Sequence, residues 1–273
     1  MLMIGVDRPV GRTPWWWRLT RRPELARLRQ RLAEDEPGAA LSIAELADAW
    51  PIGRQRCVDA LCAHVREGGP QAGEALAVLG DRLRRDDGWG GFDMDLTGAL
   101  IPARTFRGAH FTGGRFVLRG ATFTQQHVGF ADAVFAGGQV DFTGTAFEGG
   151  LVDFTGAVFD GGRLDFTGAT FTGATVDFSL TVVSAGALDF TRASLAHGKL
   201  VFYGMRCLGG GVTFTAARLV GAYVLFIGAL IAGGRIDLRR ADLADGMVEF
   251  AGTRLASGSV LRDGPPGAVG TGR

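Results

Sequence analysis

From residue 106 onward a large apolar residue returns every twelve positions: Phe106, Leu118, Phe130, Phe142, Phe154, Phe166, Phe178, Phe190, Phe202, Phe214, Phe226, Leu238 and Phe250. A second column runs five residues behind it: Phe111, Phe123, Phe135, Phe147, Phe159, Phe171, Val183, Leu195, Cys207, Leu219, Ile231, Leu243 and Leu255. The two columns hold 17 of the 19 Phe, so the periodicity and the aromatic content have one origin. Two residues before each column sits a smaller side chain, such as Val140 and Val152 ahead of the first and Ala157 and Ala169 ahead of the second. An i−2/i pair of this kind is extended backbone with both side chains on one face. The repeat, for example Val140 to Leu151, therefore predicts two short strands separated by corners.

Ahead of the array, residues 23 to 87 change to helical spacing. Glu24 to Ala33 places Leu25, Leu28 and Leu32 on one face, and Ser42 to Glu45 has the form of a capping box opening a short helix that stops near Pro51. Arg54 to Glu67 and Gln71 to Arg85 complete four helices, ended by Gly68-Gly69 and by Asp86-Asp87-Gly88. The chain divides into a Trp/Arg-rich segment (1–22), an α-helical cap (23–90), the repeat array (91–259) and a Gly/Pro-containing tail (260–273) expected to be disordered.

Leu96, Ile101, Phe106 and Phe111 are spaced by five, with Ala99 and Ala109 at i−2, after which the spacing becomes 7, 5, 7, 5. This resembles the pentapeptide-repeat family, whose unit is A-(D/N)-L-x-x, with a Gly-Gly insertion widening every second corner. The resemblance implies a mainly β chain: a right-handed quadrilateral β-helix with the i and i−2 side chains inward. Each coil of such a solenoid would take two of the twelve-residue units, about 24 residues. One unit per coil is the rival, but two Phe, a Val and an Ala overfill so small a turn. Between six and seven coils then make a rod roughly 30 Å long. The stretches Trp50 to Arg66 and Phe92 to Ala99 resemble the leader of actinobacterial pentapeptide-repeat proteins, in which a small helical domain precedes the β-helix. Its expected task is to cover the first coil, whose unpaired backbone would otherwise template edge-to-edge association.

Charge and cysteine content exclude more than they assign. Across 273 residues, 29 basic and 28 acidic side chains leave a net charge of +1, which provides no global field for nucleic acid. Three Cys give no disulfide framework, and no signal-peptide pattern or apolar run of membrane-spanning length is present, so a cytoplasmic protein is expected. Cys57, Cys62 and His64 do not share a helical face as metal ligands would, and Cys207 falls in an inward column. No nucleophile motif or phosphate loop occurs. The expectation is a protein without catalytic residues, metal or cofactor.

Three features remain as candidate sites. Asp141, Asp165 and Asp189 should stack on one face of the rod and Asp153 and Asp177 on the opposite one. Because pentapeptide-repeat proteins that protect DNA gyrase present acidic faces resembling duplex DNA, a DNA-mimicking, gyrase-interacting protein is one alternative. Against it, residues 101 onward carry 15 basic and 13 acidic side chains, and Asp at this position also suits corner hydrogen bonds. The Thr column (Thr143, Thr155, Thr167, Thr191, Thr215) suits hydroxyl-to-backbone bonding at corners better than ice binding. Later units depart from the pattern: Val201 and Leu225 replace Asp, Tyr203 and Ile227 replace Thr, and Tyr223 lies two residues before Leu225. That apolar strip marks an interface, with a protein partner or a second copy. Finally, Trp15, Trp16 and Trp17 among five Arg fit either packing onto the cap or peripheral contact with an anionic membrane. The leading reading is a non-enzymatic scaffold or protein-interaction module, with no direct nucleic-acid partner.

Overall fold

The computed structural model describes residues 17–85, 88–101, 106–123 and 127–263. Four helices, α1 (Trp17–Ala33), α2 (Ala39–Ala49), α3 (Arg54–Glu67) and α4 (Ala72–Leu83), precede a stack of short parallel strands that runs from Met94–Asp95 to Ser259–Leu261. Among the described residues, no helix is long and apolar enough to cross a membrane. Trp15, Trp16 and the Gln125-Gln126 corner lie outside the described residues, as does the tail from 264; Trp17 is described only as the first residue of α1.

The helices depart from expectation at two starts. α1 begins at Trp17 and carries Pro23 inside it. α2 opens at Ala39, ahead of Ser42, because Ala39 and Ala40 are buried with Ile43 and Ala44 and extend the apolar face backwards. Ser42 is therefore no cap: its hydroxyl donates to the Gly38 carbonyl at 3.0 Å, inside the helix. Gly38, in a left-handed conformation at φ 80°, precedes the helix and donates its N–H to Glu74 at 3.1 Å, which ties α2 to α4.

The helices close the first coil through two sets of contacts. Gln55 of α3 treats Asp93 as a strand neighbour: its amide nitrogen donates to the Asp93 carbonyl at 2.7 Å and its oxygen accepts the Asp93 N–H at 3.1 Å. The backbone groups that an open edge would leave unpaired are thus satisfied by a side chain. Buried Arg82 of α4 pairs with Asp48 of α2 at 2.9 Å, and the same carboxylate accepts the Trp89 indole N–H at 2.9 Å. Trp89 heads a single 3-10 turn, Trp89–Gly91, whose Gly90 carbonyl receives the N–H groups of Thr112, Gly113 and Gly114 in the coil that follows.

Strand register sets the coil length. Val152 pairs with Val176, Val176 with Leu200, and Leu200 with Val224, so each coil holds two of the twelve-residue repeats. The first coil is shorter: Met94 pairs with Phe116 and Leu100 with Thr122, a step of 22. The reason is the spacing at the entry to the array, where three fives and one seven make a turn, before alternating sevens and fives lengthen it. About seven coils result. Each has four sides, as in the coil of residues 139 to 160: face one (Gln139–Asp141), face two (Ala146–Glu148), face three (Leu151–Asp153) and face four (Val158–Phe159).

Inside, like stacks on like. Phe106, Phe130, Phe154, Phe178, Phe202, Phe226 and Phe250 form one column, with successive ring centroids 4.5–5.3 Å apart. Phe142, Phe166, Phe190 and Phe214 form a second, at 4.9–5.1 Å. Across the axis the two columns meet edge to face, as Phe154 and Phe166 do at 85° and Phe178 and Phe190 at 89°. Each such aromatic pair adds about 1 kcal/mol beyond the area it buries. The inward assignment fails at the last coil: Leu243 and Leu255 are exposed, because among the described residues no further coil stacks on them.

Two corner types alternate. In the narrow one, exemplified by Phe142 to Thr145, Thr145 donates its N–H to the Phe142 carbonyl at 3.0 Å and Gly144 adopts φ 67°. The same slot is filled by Ala216 at φ 56° and by Leu180 at φ 59°, a conformation that costs a residue with a Cβ about 1 kcal/mol. At the Gly-Gly corner, crowding outweighs conformation for the second glycine: a Cβ on Gly162 would lie 2.6 Å from the Phe135 carbonyl oxygen of the preceding coil. Opposite effects on stability are expected. Ala216→Gly should stabilise by up to about 1 kcal/mol, and Gly162→Ala should destabilise by about 1–3 kcal/mol, both read from urea unfolding of the full chain.

Candidate interaction surface

Face three is where the repeat loses its polar exterior. Between its inward side chains the outward positions form two columns. One reads His127, Leu151, Thr175, Lys199, Tyr223, Met247 and the other Gly129, Asp153, Asp177, Val201, Leu225, Glu249, each in direct register. The upper half is charged and partnered: His127 lies 3.4 Å from Asp153, and Asp177 accepts the Ser179 N–H at 2.8 Å. Below Asp177 the column turns to Val201 and Leu225. Tyr203 and Ile227 lie in the corners that follow, and Gly204 donates to the Ile227 carbonyl, so these corners stack as the strands do.

Tyr203 is 56% exposed and Tyr223 46%, while Val201, Leu225 and Ile227 are half-buried. The structure adds two residues to the strip. Met247 stacks below Tyr223 and is exposed. Leu180, 59% exposed, donates its N–H to the Tyr203 carbonyl at 2.8 Å, and its side chain lies over Gly204. Met247 was discoverable by stepping two repeats on from Tyr223. Leu180 was not, because it occupies a slot that is otherwise glycine and belongs to neither the Asp nor the Thr column.

The acidic columns take their expected registers: Asp141, Asp165 and Asp189 on face one, Asp153 and Asp177 on face three. Their carboxylates are engaged locally. Each Asp accepts the backbone N–H two residues on, as Asp141 does from Thr143 at 3.0 Å and Asp189 from Thr191 at 2.9 Å. The Thr at these corners serves through its amide; among the described residues the hydroxyl-to-carbonyl bonds come from a different slot, as with buried Thr145 to Leu118 at 3.0 Å. Arginines bridge the stacked charges on face one. Arg115 and Arg119 reach Asp141 at 3.0 and 2.9 Å, and Arg163 spans Asp165 and Asp189 at 3.2 and 2.6 Å.

Burial alone pushes the Asp141 carboxyl up, but hydrogen bonds from Thr143 and Arg119 outweigh it and hold the group below its ordinary value. The three thiols move the other way. Burial pushes Cys57 and Cys62 up to about 12 and raises Cys207, which removes them as nucleophiles near neutral pH. No group of three His, Cys, Asp or Glu among the described residues could hold a metal ion.

No protein-family model matches the chain, and no curated protein matches it. Among solved structures it is similar to HetL, a pentapeptide repeat protein involved in heterocyst differentiation regulation from the cyanobacterium Nostoc sp. strain PCC 7120. The match has 17% identity, covers 64% of this chain and 86% of that one, and has a TM-score of 0.18. The class rests on the chain's own geometry: a four-sided β-solenoid of the pentapeptide-repeat type, with inward i and i−2 side chains and two twelve-residue repeats to the coil.

The Asp141 pairing makes stability pH-dependent in a definite direction. Its folded value lies below the ordinary 3.8, so the unfolded chain takes up the proton first. The contribution is complete above about pH 5 and is lost as pH falls through the folded value. Thermal unfolding from pH 7 to pH 3 should therefore show Asp141→Asn losing about 2 kcal/mol at pH 7 and converging on the wild type toward pH 3. A constant gap between the two would contradict the assignment.

Proposed function

We propose that the chain is a non-enzymatic pentapeptide-repeat scaffold that docks protein through the lower half of face three, with a second copy of itself as the occupant. The observation that carries the reading is the strip of exposed Tyr203 and Tyr223 with half-buried Leu225 and Ile227, where the columns of Leu225 and Ile227 carry Asp153 and Asp177, and Thr155 and Ser179, in earlier coils. Regular coils need no apolar residue there: Asp153 and Asp177 hold the same column and fold into the same register. Apolar side chains in these positions therefore serve contact beyond the coil.

A second copy fits the charges that border the strip. Lys199 lies one coil before Tyr223 and Leu225, and Glu249 one coil after. An antiparallel two-fold pairing centred on that middle coil sets Lys199 of each copy at the level of Glu249 of the other. The pairing of Asp141, Asp165 and Asp189 with arginines weighs against the gyrase-directed alternative, since those carboxylates are already neutralised where a duplex mimic would present them.

Light scattering tests the reading. Leu225→Asp with Ile227→Thr gives those two positions residues that their columns carry in earlier coils, so the coil should keep its fold. The wild type is expected to run at twice the chain mass of 28.8 kDa and the double variant at that mass. A wild type that stays monomeric at high concentration, or a variant of unchanged doubled mass, would sink the proposal.

A further inference from the structure

The helical cap carries a second surface, separate from face three. A groove of about 440 Å³ runs between α1 and α3, lined by Arg22, Leu25, Ala26 and Arg29 on one side and by Arg56, Asp59, Ala60, Ala63 and Arg66 on the other. Four arginines thus face one aspartate. On α1 the spacing of Arg22, Ala26 and Arg29 follows one helical face, and on α3 Arg56, Ala60, Ala63 and Arg66 do the same. Arginine rows wall the groove, and small residues keep its floor shallow.

These cations are not consumed by folding. Arg22, Arg29 and Arg56 are exposed, and no ion pair or hydrogen bond engages them among the described residues, whereas Arg66 is bound to Asp95. Nor do they pack the cap: α1 is anchored by Leu25, Leu28 and Leu32, which are buried. α1 has six arginines against the single acid Glu24, and it follows directly on Trp15 and Trp16. Unpaired like charges held side by side repel, and an anionic occupant removes that cost.

We propose that this arginine groove binds the headgroups of an anionic membrane surface. Charge complementarity selects an anion; no aromatic side chain lines the groove on which an unpaired base could stack, and Trp15 and Trp16 immediately ahead of α1 are the residue type that favours a lipid headgroup layer. The guanidinium groups reach headgroup phosphates while the alanine floor lets them approach, and tryptophans preceding α1 suit the depth of the headgroup layer. The rod is then carried at the bilayer as a peripheral body, with face three a different part of the molecule from the lipid-binding one.

Flotation of the full chain with vesicles tests this. Wild type should float with vesicles of phosphatidylcholine and phosphatidylserine mixed at about two to one, stay behind with phosphatidylcholine alone, and be released by raised salt. Arg22→Gln, Arg29→Gln and Arg56→Gln together should weaken partition roughly 100-fold while leaving the far-UV circular dichroism melt unchanged. Arg56→Gln alone should weaken it about fivefold and reads the same claim if the triple variant unfolds. Failure of the wild type to float, equal flotation of the variants, or displacement from vesicles by equimolar duplex oligonucleotide would each overturn the assignment.

Discussion

Everything in the rod depends on one constraint: whatever fills the coil interior at one level must lie directly over the same kind of group at the next. The backbone imposes it. Phe142, Phe154, Phe166, Phe178 and Phe190 each donate their N–H to a carbonyl of the coil that follows, at 2.7–2.8 Å. Coils so bonded are held at strand spacing, and that distance suits parallel rings. Phenylalanine is therefore the residue that satisfies the ladder and the core together. Where Val183, Leu195 and Cys207 take over the narrower columns, the ladder continues but the ring stack ends.

A stack built this way has a beginning and an end that the repeat cannot complete. At the N-terminal side, Gln55 supplies a side-chain amide in place of a missing strand, and the Arg82–Asp48–Trp89 cluster fixes the 3-10 turn whose Gly90 carbonyl closes the coil. A buried arginine paired with a half-buried carboxylate is costly to dehydrate, so the pair serves position more than net stability. The last described coil has no such cover, and Leu243 and Leu255 stay exposed there.

Most of the rod was legible because its determinants are local and repeated. The twelve-residue columns identify the inward residues, and the size of Phe decides for two repeats per coil over one; the pairing of Val152 with Val176 agrees. The shorter first coil was also written in the spacing from Leu96 to Leu118, but only the pairing of Met94 with Phe116 makes its meaning evident. What sequence could not supply were effects between distant parts. The start of α2 depends on burial of Ala39 and Ala40 against other helices, and the need for Gly162 on the nearness of Phe135. The face-three strip was visible as broken Asp and Thr columns, while the arginine groove was not, because α1 and α3 are far apart in sequence and adjacent only once folded.

Residue-resolved hydrogen exchange of the full chain measures the ladder directly. The account predicts that the amides of Phe142, Phe154, Phe166, Phe178, Phe190, Phe202 and Phe214 exchange slowest and at similar rates, since each is bonded to the next coil inside one continuous core. Strong protection confined to the four helices, with these seven amides exchanging as freely as corner residues, would contradict a stack of coils bonded two repeats apart.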